Sequence, residues 1–421
     1  MSAINATPLP QTRPWARIAR QMLRPESVPE SIFDDSAADS AAQSTGQSAD
    51  QSALPLERRA LSRLIEVPWR VSATEAGDYI ETSCDFVALA QAQRWHAILA
   101  RLRQLDQTRA PTASGGRLYE VALNAVLFPS LDDADPIARH LALTAALPVL
   151  EAMHKTHAQD YVAAVLLARA LIVLGWQARG GEDGRPGPKA LKKSASYFAR
   201  AEALIERFDP IEENSPMLAG ARYRLAPGVD GGAEFLRDWF EDWADLDPTD
   251  TDMLSLHGRY LSPQRFGSYR ELDREARRAM ARAENGPATY ALFWVMPLSQ
   301  REAMRWLDAK LFLAGVEDVL TRTGSQRLAN IFANLLYRVG RPHRGRVRRV
   351  TVGEARARGR LTKAFGTLIR LHLREVHQSL WLDDAAGIRR ALGTAFAEEL
   401  AKGARIRPGT QGLAAEFPQA G

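Results

Sequence analysis

Residues 233–261 read AEFLRDWFEDWADLDPTDTDMLSLHGRYL, and this stretch decides the fold. Leu236, Trp239, Phe240 and Trp243 stand at i, i+3, i+4 and i+7, the spacing that lines apolar side chains along one face of a helix. Acidic residues take the opposite face. Asp247-Pro248 ends the segment, because proline brings no N–H to the helical ladder and restricts the residue before it. A second helix is expected from about Thr251, with Leu254, Leu256, His257 and Tyr260, and at Gly258 a missing Cβ lets a neighbouring helix come close. Two short helices joined by an acidic-proline turn predict a helical hairpin.

The pattern repeats outward from there. Helices are expected at 86–105, 117–128, 135–155, 159–179, 188–207, 233–246, 250–261, 268–283, 300–322, 325–339, 354–380 and 384–402. Pro111, Pro129, Pro210, Pro227, Pro248, Pro263, Pro287 and Pro342 fall at or near the joins. Alternating β-branched and aromatic runs are nearly absent, so the expected class is all-α, built of TPR-like helical hairpin repeats stacked as an α-solenoid. The chain divides into a tail and linker (1–55), an N-terminal helical unit (56–158), a repeat region (159–337) and a basic helical C-terminal unit (338–421).

With 421 residues, 46% of them hydrophobic, there is ample material for a core. Cys84 is the sole cysteine, which excludes an internal disulfide and a thiolate cluster and points to a reducing, cytoplasmic setting. Residues 1–24 carry Arg13, Arg17, Arg20 and Arg24 without an acid or a secretory apolar core; they read as a disordered tail with one short helix rather than a transit peptide. Residues 26–53 are mostly Ser, Asp, Ala and Gln and read as a flexible acidic linker. The longest apolar run, residues 162–176, is interrupted by Arg169 and is shorter than the roughly 20 residues of a membrane span, so a buried helix is expected there.

Residues 159–285 resemble the middle of an uncharacterised bacterial TPR-like family. The matching groups are Trp176-Gln-Ala-Arg179-Gly180, the helix 197–208, Asp247-Pro248, and His257-Gly258-Arg259-Tyr260-Leu261 leading to Phe266-Gly267-Ser268-Tyr269-Arg270-Glu271-Leu272. The resemblance covers about a third of the chain and implies a fold without an activity. Trp176 and Arg179 share one helix face, where the guanidinium can lie over the indole, and the glycines after Arg179 suit a left-handed helix stop.

Charge is strongly segregated. Residues 230–252 hold nine acids against Arg237 alone, whereas residues 338–374 hold eleven Arg and one Lys against Glu354 alone. On a helix advancing about 100° per residue, Arg360, Lys363, Arg370 and Arg374 fall within about 40° of Arg356, and Leu361, Phe365, Leu368, Ile369, His372 and Val376 gather on the far side. Arg341, Arg344, Arg346, Arg348 and Arg349 lie in a Gly- and Pro-broken loop. Three readings fit: a solvated or internally neutralised face paired with 230–252, a nucleic-acid or other polyanion site, and attachment to an anionic membrane surface.

Catalytic signals are weak. His154, His157 and Asp160 have a metal-compatible spacing but read as a surface turn. Cys84 before Asp85 at an expected helix start has no His partner, and Asp85 reads as an N-cap. His372 falls on the apolar arc and reads as a satisfied core histidine, diverging from His377. P-loop, nucleophile-elbow, zincin and dinucleotide motifs are absent from the sequence. The expectation is therefore a bacterial, cytoplasmic, non-catalytic helical-repeat scaffold without cofactor or metal, binding a protein partner on a concave groove of residues 85–340 at Arg179, Arg259 and Tyr260. The alternative is polyanion binding, to nucleic acid or an anionic surface, through Arg344, Arg346, Arg348, Arg349, Arg356, Arg360, Lys363, Arg370 and Arg374.

Overall fold

Sixteen α-helices and two short strand pairs make up the described part of the chain, which in this computed structural model is residues 63–70, 75, 77–128, 136–179, 187–340 and 351–418. The protein is all-α in class, as its composition predicts. The expected linker at 26–53 and the loop arginines Arg341, Arg344, Arg346, Arg348 and Arg349 lie outside the described residues.

Helices α1 (Asp78–Gln91), α2 (Trp95–Thr108), α3 (Leu118–Leu127), α4 (Pro136–Thr156), α5 (Tyr161–Arg179) and α6 (Pro188–Ile205) share one hydrophobic core. The expected single helix at 86–105 is in fact two. Gln93, with φ 51°, turns the chain left-handed between them, and α1 begins eight residues earlier than the apolar spacing suggests. Cys84 and Asp85 are consequently mid-helix, and Gly77 is the N-cap residue. By length and composition α5 is the one described helix apolar enough to cross a membrane, yet it packs against α4, α6 and α7, with 72% of its most apolar window buried.

A second core begins at α7 (Pro216–Tyr223) and runs through α8 (Gly232–Leu246), α9 (Thr251–Tyr260), α10 (Tyr269–Arg282), α11 (Gly286–Trp294), α12 (Ala309–Thr323), α13 (Gln326–Gly340) and α14 (Val352–His372). Helix α7 serves both: Met217, Leu218 and Ala221 face the first core, Ala219 and Tyr223 the second. The apolar contacts thus change hands at α7. The two helices of the central stretch form where the sequence predicts them, with Asp250 capping α9 by accepting from the Asp252 and Met253 N–H groups. Gly258 is where α9 meets α11, and a Cβ there would stand 1.9 Å from the Phe293 carbonyl oxygen.

Two expected helices are shortened for local reasons. Residues 301–305 form a 3-10 turn, and Asp308 then caps α12 through the Lys310 and Leu311 N–H groups. Helix α14 stops at His372 because the chain becomes extended at Leu373 and enters β2 (Val376–His377). This strand pairs in parallel with β1 (Trp69–Arg70) from the other end of the described chain. Helices α15 (Ala385–Ala395) and α16 (Ala397–Ala401) and the hairpin β3 (Arg405–Pro408), β4 (Leu413–Glu416) complete the C-terminal part. Glu66 clasps the hairpin by ion pairs to Arg405 at 2.9 Å and Arg407 at 2.5 Å, and Arg70 meets Glu375 at 2.7 Å.

A buried ion pair helps tie the two cores together. Arg117, after the loop that leaves α2, donates Nε and Nη2 to the two carboxylate oxygens of Asp247 at 2.5 Å each, with both residues under 4% exposed. Removing one partner of such a pair strands the other charge in the interior. Arg117→Ala is expected to cost about 3–5 kcal/mol of stability in urea unfolding, and Arg117→Met with Asp247→Leu clearly less; equal losses would contradict this role.

Candidate functional site

Helices α12, α13 and α14 leave an open groove between them, with a cavity of about 340 Å³. Its floor is apolar: Val316 and Leu313 come from α12, Leu336 from α13, Ala364 and Leu368 from α14. Val316 and Leu368 are each 4% exposed, so the floor is continuous with the second core. Arg360 and Lys363 on α14 form one rim, joined by Thr367, and Glu317 of α12 stands opposite. The Glu317 carboxylate is engaged by His372 Nε2 at 3.0 Å, so His372 lies at the groove's edge and not in the core.

The cationic stripe of α14 is real but not uniform. Arg356, Arg360, Lys363 and Arg374 are exposed, and none forms an ion pair with a described carboxylate. Arg370 differs: its guanidinium covers the Phe396 ring at 4.0 Å, donates to the Ala395 carbonyl and pairs with Glu399 at 2.7 Å, which commits it to holding α15 and α16 in place. The acidic segment 230–252 finds its cations elsewhere. Glu241 is paired by Arg278, Asp242 by Arg222 and Asp247 by Arg117, so α10, α7 and the loop before α3, rather than α14, supply these partners.

Of the three residues expected to line a concave groove, Tyr260 is buried and Arg179 is tied to a neighbouring segment. Arg179 lies 5.5 Å over Trp176 and donates to the Pro227 carbonyl at 2.7 Å, which staples α5 to the segment after α7. Arg259 is half-buried on α9. Tyr260 is 4% exposed and stacked on Tyr223 at 5.3 Å, so it belongs to the second core; the spacing that placed it on a helix end did not show that Tyr223 waits beneath it.

Polar groups also gather in a closed seam between the two cores. Glu120 on α3 accepts from Arg169 on α5 at 2.8 Å and meets Arg224, after α7, at 3.2 Å. Tyr223 Oη and His257 Nδ1 are 2.6 Å apart, and the imidazole stacks on Phe240 at 3.7 Å. Burial pushes His257 down to about 3 and, with the neighbouring Asp252 charge adding and Arg117 opposing, pushes Asp250 up to about 7. None of these perturbed groups lines the groove. The seam was open to sequence reasoning through one signal: Glu120 is the lone charge of α3 and Arg169 the lone charge in the apolar run 162–176, and a buried charge requires a partner.

The remaining candidates are placed apart from chemistry. His154 sits in the last turn of α4, inside the helix, while Asp160 is held by Arg103 at 2.5 Å and caps the Val162 N–H. Among the described residues no cluster of three or more His, Cys, Asp or Glu is arranged to hold a metal ion. Compared with models of protein families, with curated proteins and with solved structures, the chain finds no match in any of the three.

Asp250 gives a pH test of the seam. Its folded carboxyl titrates above the unfolded value of 3.8, so its contribution to stability is present below that value and is lost as pH rises through about 7. Asp250→Asn keeps an N-capping side chain and removes the titration. The stability of the variant relative to the parent, from urea midpoints, should therefore rise between pH 4 and pH 7; a flat or falling difference would refute the shift.

Proposed function

We propose that the protein is a non-catalytic helical scaffold of the TPR-like helix-pair kind, and that it binds a protein partner by receiving an acidic amphipathic helix in the groove between α12, α13 and α14. One observation carries the reading: Arg360 and Lys363, which form no ion pair among the described residues, stand on the rim of an apolar floor. Helix-in-groove recognition needs this combination, with apolar anchors at i, i+3 or i+4 filling the floor and flanking carboxylates meeting the rim. The expected partner site thus moves from Arg179, Arg259 and Tyr260 to the cationic helix.

The same residues argue less well for nucleic acid. A phosphate backbone is met by a charged surface with stacking aromatics, whereas five apolar side chains form this floor and Glu317 faces the rim. Polyanion binding through Arg356, Arg360, Lys363 and Arg374 is the outcome that would replace the proposal.

The test uses two fluorescein-labelled probes with the full chain: an amphipathic Glu/Leu model helix and a single-stranded oligoadenylate. The peptide is expected to bind, and Arg360→Glu with Lys363→Glu to weaken it at least tenfold, with a further loss for Leu313→Asp. Oligoadenylate binding that is steeply salt-dependent and indifferent to Leu313→Asp, without peptide binding, would favour the polyanion reading instead.

A further inference from the structure

Helix α8 carries a surface that its own packing does not use. Leu236, Phe240 and Trp243 are buried in the second core, whereas Phe235 is 49% exposed and stacks on the ring of half-buried Trp239 at 5.7 Å. The Arg222 guanidinium lies 5.5 Å over Trp239 and reaches Asp242 at 4.0 Å, which holds the aromatic pair in place. Rings fixed in this way give large contact area at little cost in side-chain freedom. At about 100° per residue, Glu234, Asp238 and Asp245 fall within about 40° of one another along one flank of Phe235. All three are exposed and form no ion pair among the described residues.

This face complements the groove between α12, α13 and α14. An aromatic ridge with an acidic flank meets an apolar floor with a cationic rim. Phe235 and Trp239 stand at i and i+4, the anchor spacing of a helix received in a groove. The acidic flank from Glu234 to Asp245 runs about 16 Å, and the cationic stripe from Arg356 to Lys363 about 10 Å. The two faces do not meet within one chain, because Phe235 is exposed and the groove is open. Helix α8 is anchored by Leu236, Phe240 and Trp243, so its outer face is offered to another molecule as it stands.

We propose that α8 of one copy docks in the groove of a second copy, with Phe235 and Trp239 on the floor and Glu234, Asp238 and Asp245 toward Arg356, Arg360 and Lys363. The inference rests on the groove being a docking site for acidic amphipathic helices and names a second copy of this chain as an occupant. Because the two faces differ, the contact is head-to-tail, and successive copies close into a ring or extend into a filament. Salt screens the charged flank and weakens the contact. An acidic partner helix competes with α8 for the same floor, so partner binding and self-assembly exclude each other.

The test follows the mass of the full chain by sedimentation from about 1 to about 100 μM. It compares the parent, the α8 variant Phe235→Ser/Asp238→Lys, the groove variant Arg360→Glu/Lys363→Glu, and the two variants mixed. The parent is expected to associate with concentration, less at high salt, and each variant alone to associate at least tenfold more weakly. The mixture should recover a one-to-one complex, since one variant keeps its groove and the other its α8 face, which misfolded variants could not do. A parent that stays monomeric, a variant that associates like the parent, or a mixture that stays monomeric overturns the self-docking. Titrating the α8 variant with the acidic model helix then separates the two claims: binding leaves the groove as a docking site for another partner, and no binding overturns the groove as well.

Discussion

The fold depends on a buried guanidinium. Arg117 closes the loop that leaves the first helix pair and reaches across to Asp247, the residue that ends α8 and starts the acidic-proline turn. The same loop accepts the Thr251 N–H at Gly115 and the Thr251 hydroxyl at Ser114, so it docks on the beginning of α9 as well. Glu75 continues the contact by accepting from the Ser114 N–H and the Ser325 hydroxyl. An early loop is thereby hydrogen-bonded to the start of α9 and, through Glu75, to the start of α13. A buried ion pair stabilises little compared with an apolar replacement, yet it fixes which surfaces meet.

Amphipathic helices were legible in the sequence, and so were the buried α3 and α5, but the short buried α7 and α11 were not. Helix α8, apolar on one face and acidic on the other, follows directly from its spacing, as do α9, α10 and α13. Helices α7 and α11 escape because they are short as well as buried nearly all round: Met217, Leu218, Ala219 and Ala221 in one, Tyr290 to Trp294 in the other, leave no polar face to set a period. The β1–β2 pairing is equally hidden, since it joins residues more than three hundred positions apart through two-residue strands. Gly258 is the opposite case, a single residue whose role as a close-approach point was readable and whose neighbour turned out to be the Phe293 carbonyl.

Half of the candidate site was also readable. Helical geometry alone puts Arg356, Arg360, Lys363 and Arg370 on one face of α14, but only packing separates Arg370, bound to Glu399 and Phe396, from cations beside it that have no ion pair among the described residues. The apolar floor needed the structure, because Leu313 and Val316 come from α12 and Leu336 from α13, and nothing in either segment marks these side chains as groove-facing. A cationic helix face acquires a different meaning once an apolar trough runs along it: charge now orients an apolar anchor as well as attracting an anion.

Hydrogen exchange on the full chain with the acidic model helix added, in place of binding affinity, tests the docking site most directly. The account predicts slowed exchange confined to the groove-lining turns of α12 and α14, around residues 313–317 and 360–368, with α5 to α9 unchanged. Slowing centred instead on Arg179 and Arg259, with the α12 and α14 amides unaffected, would contradict it.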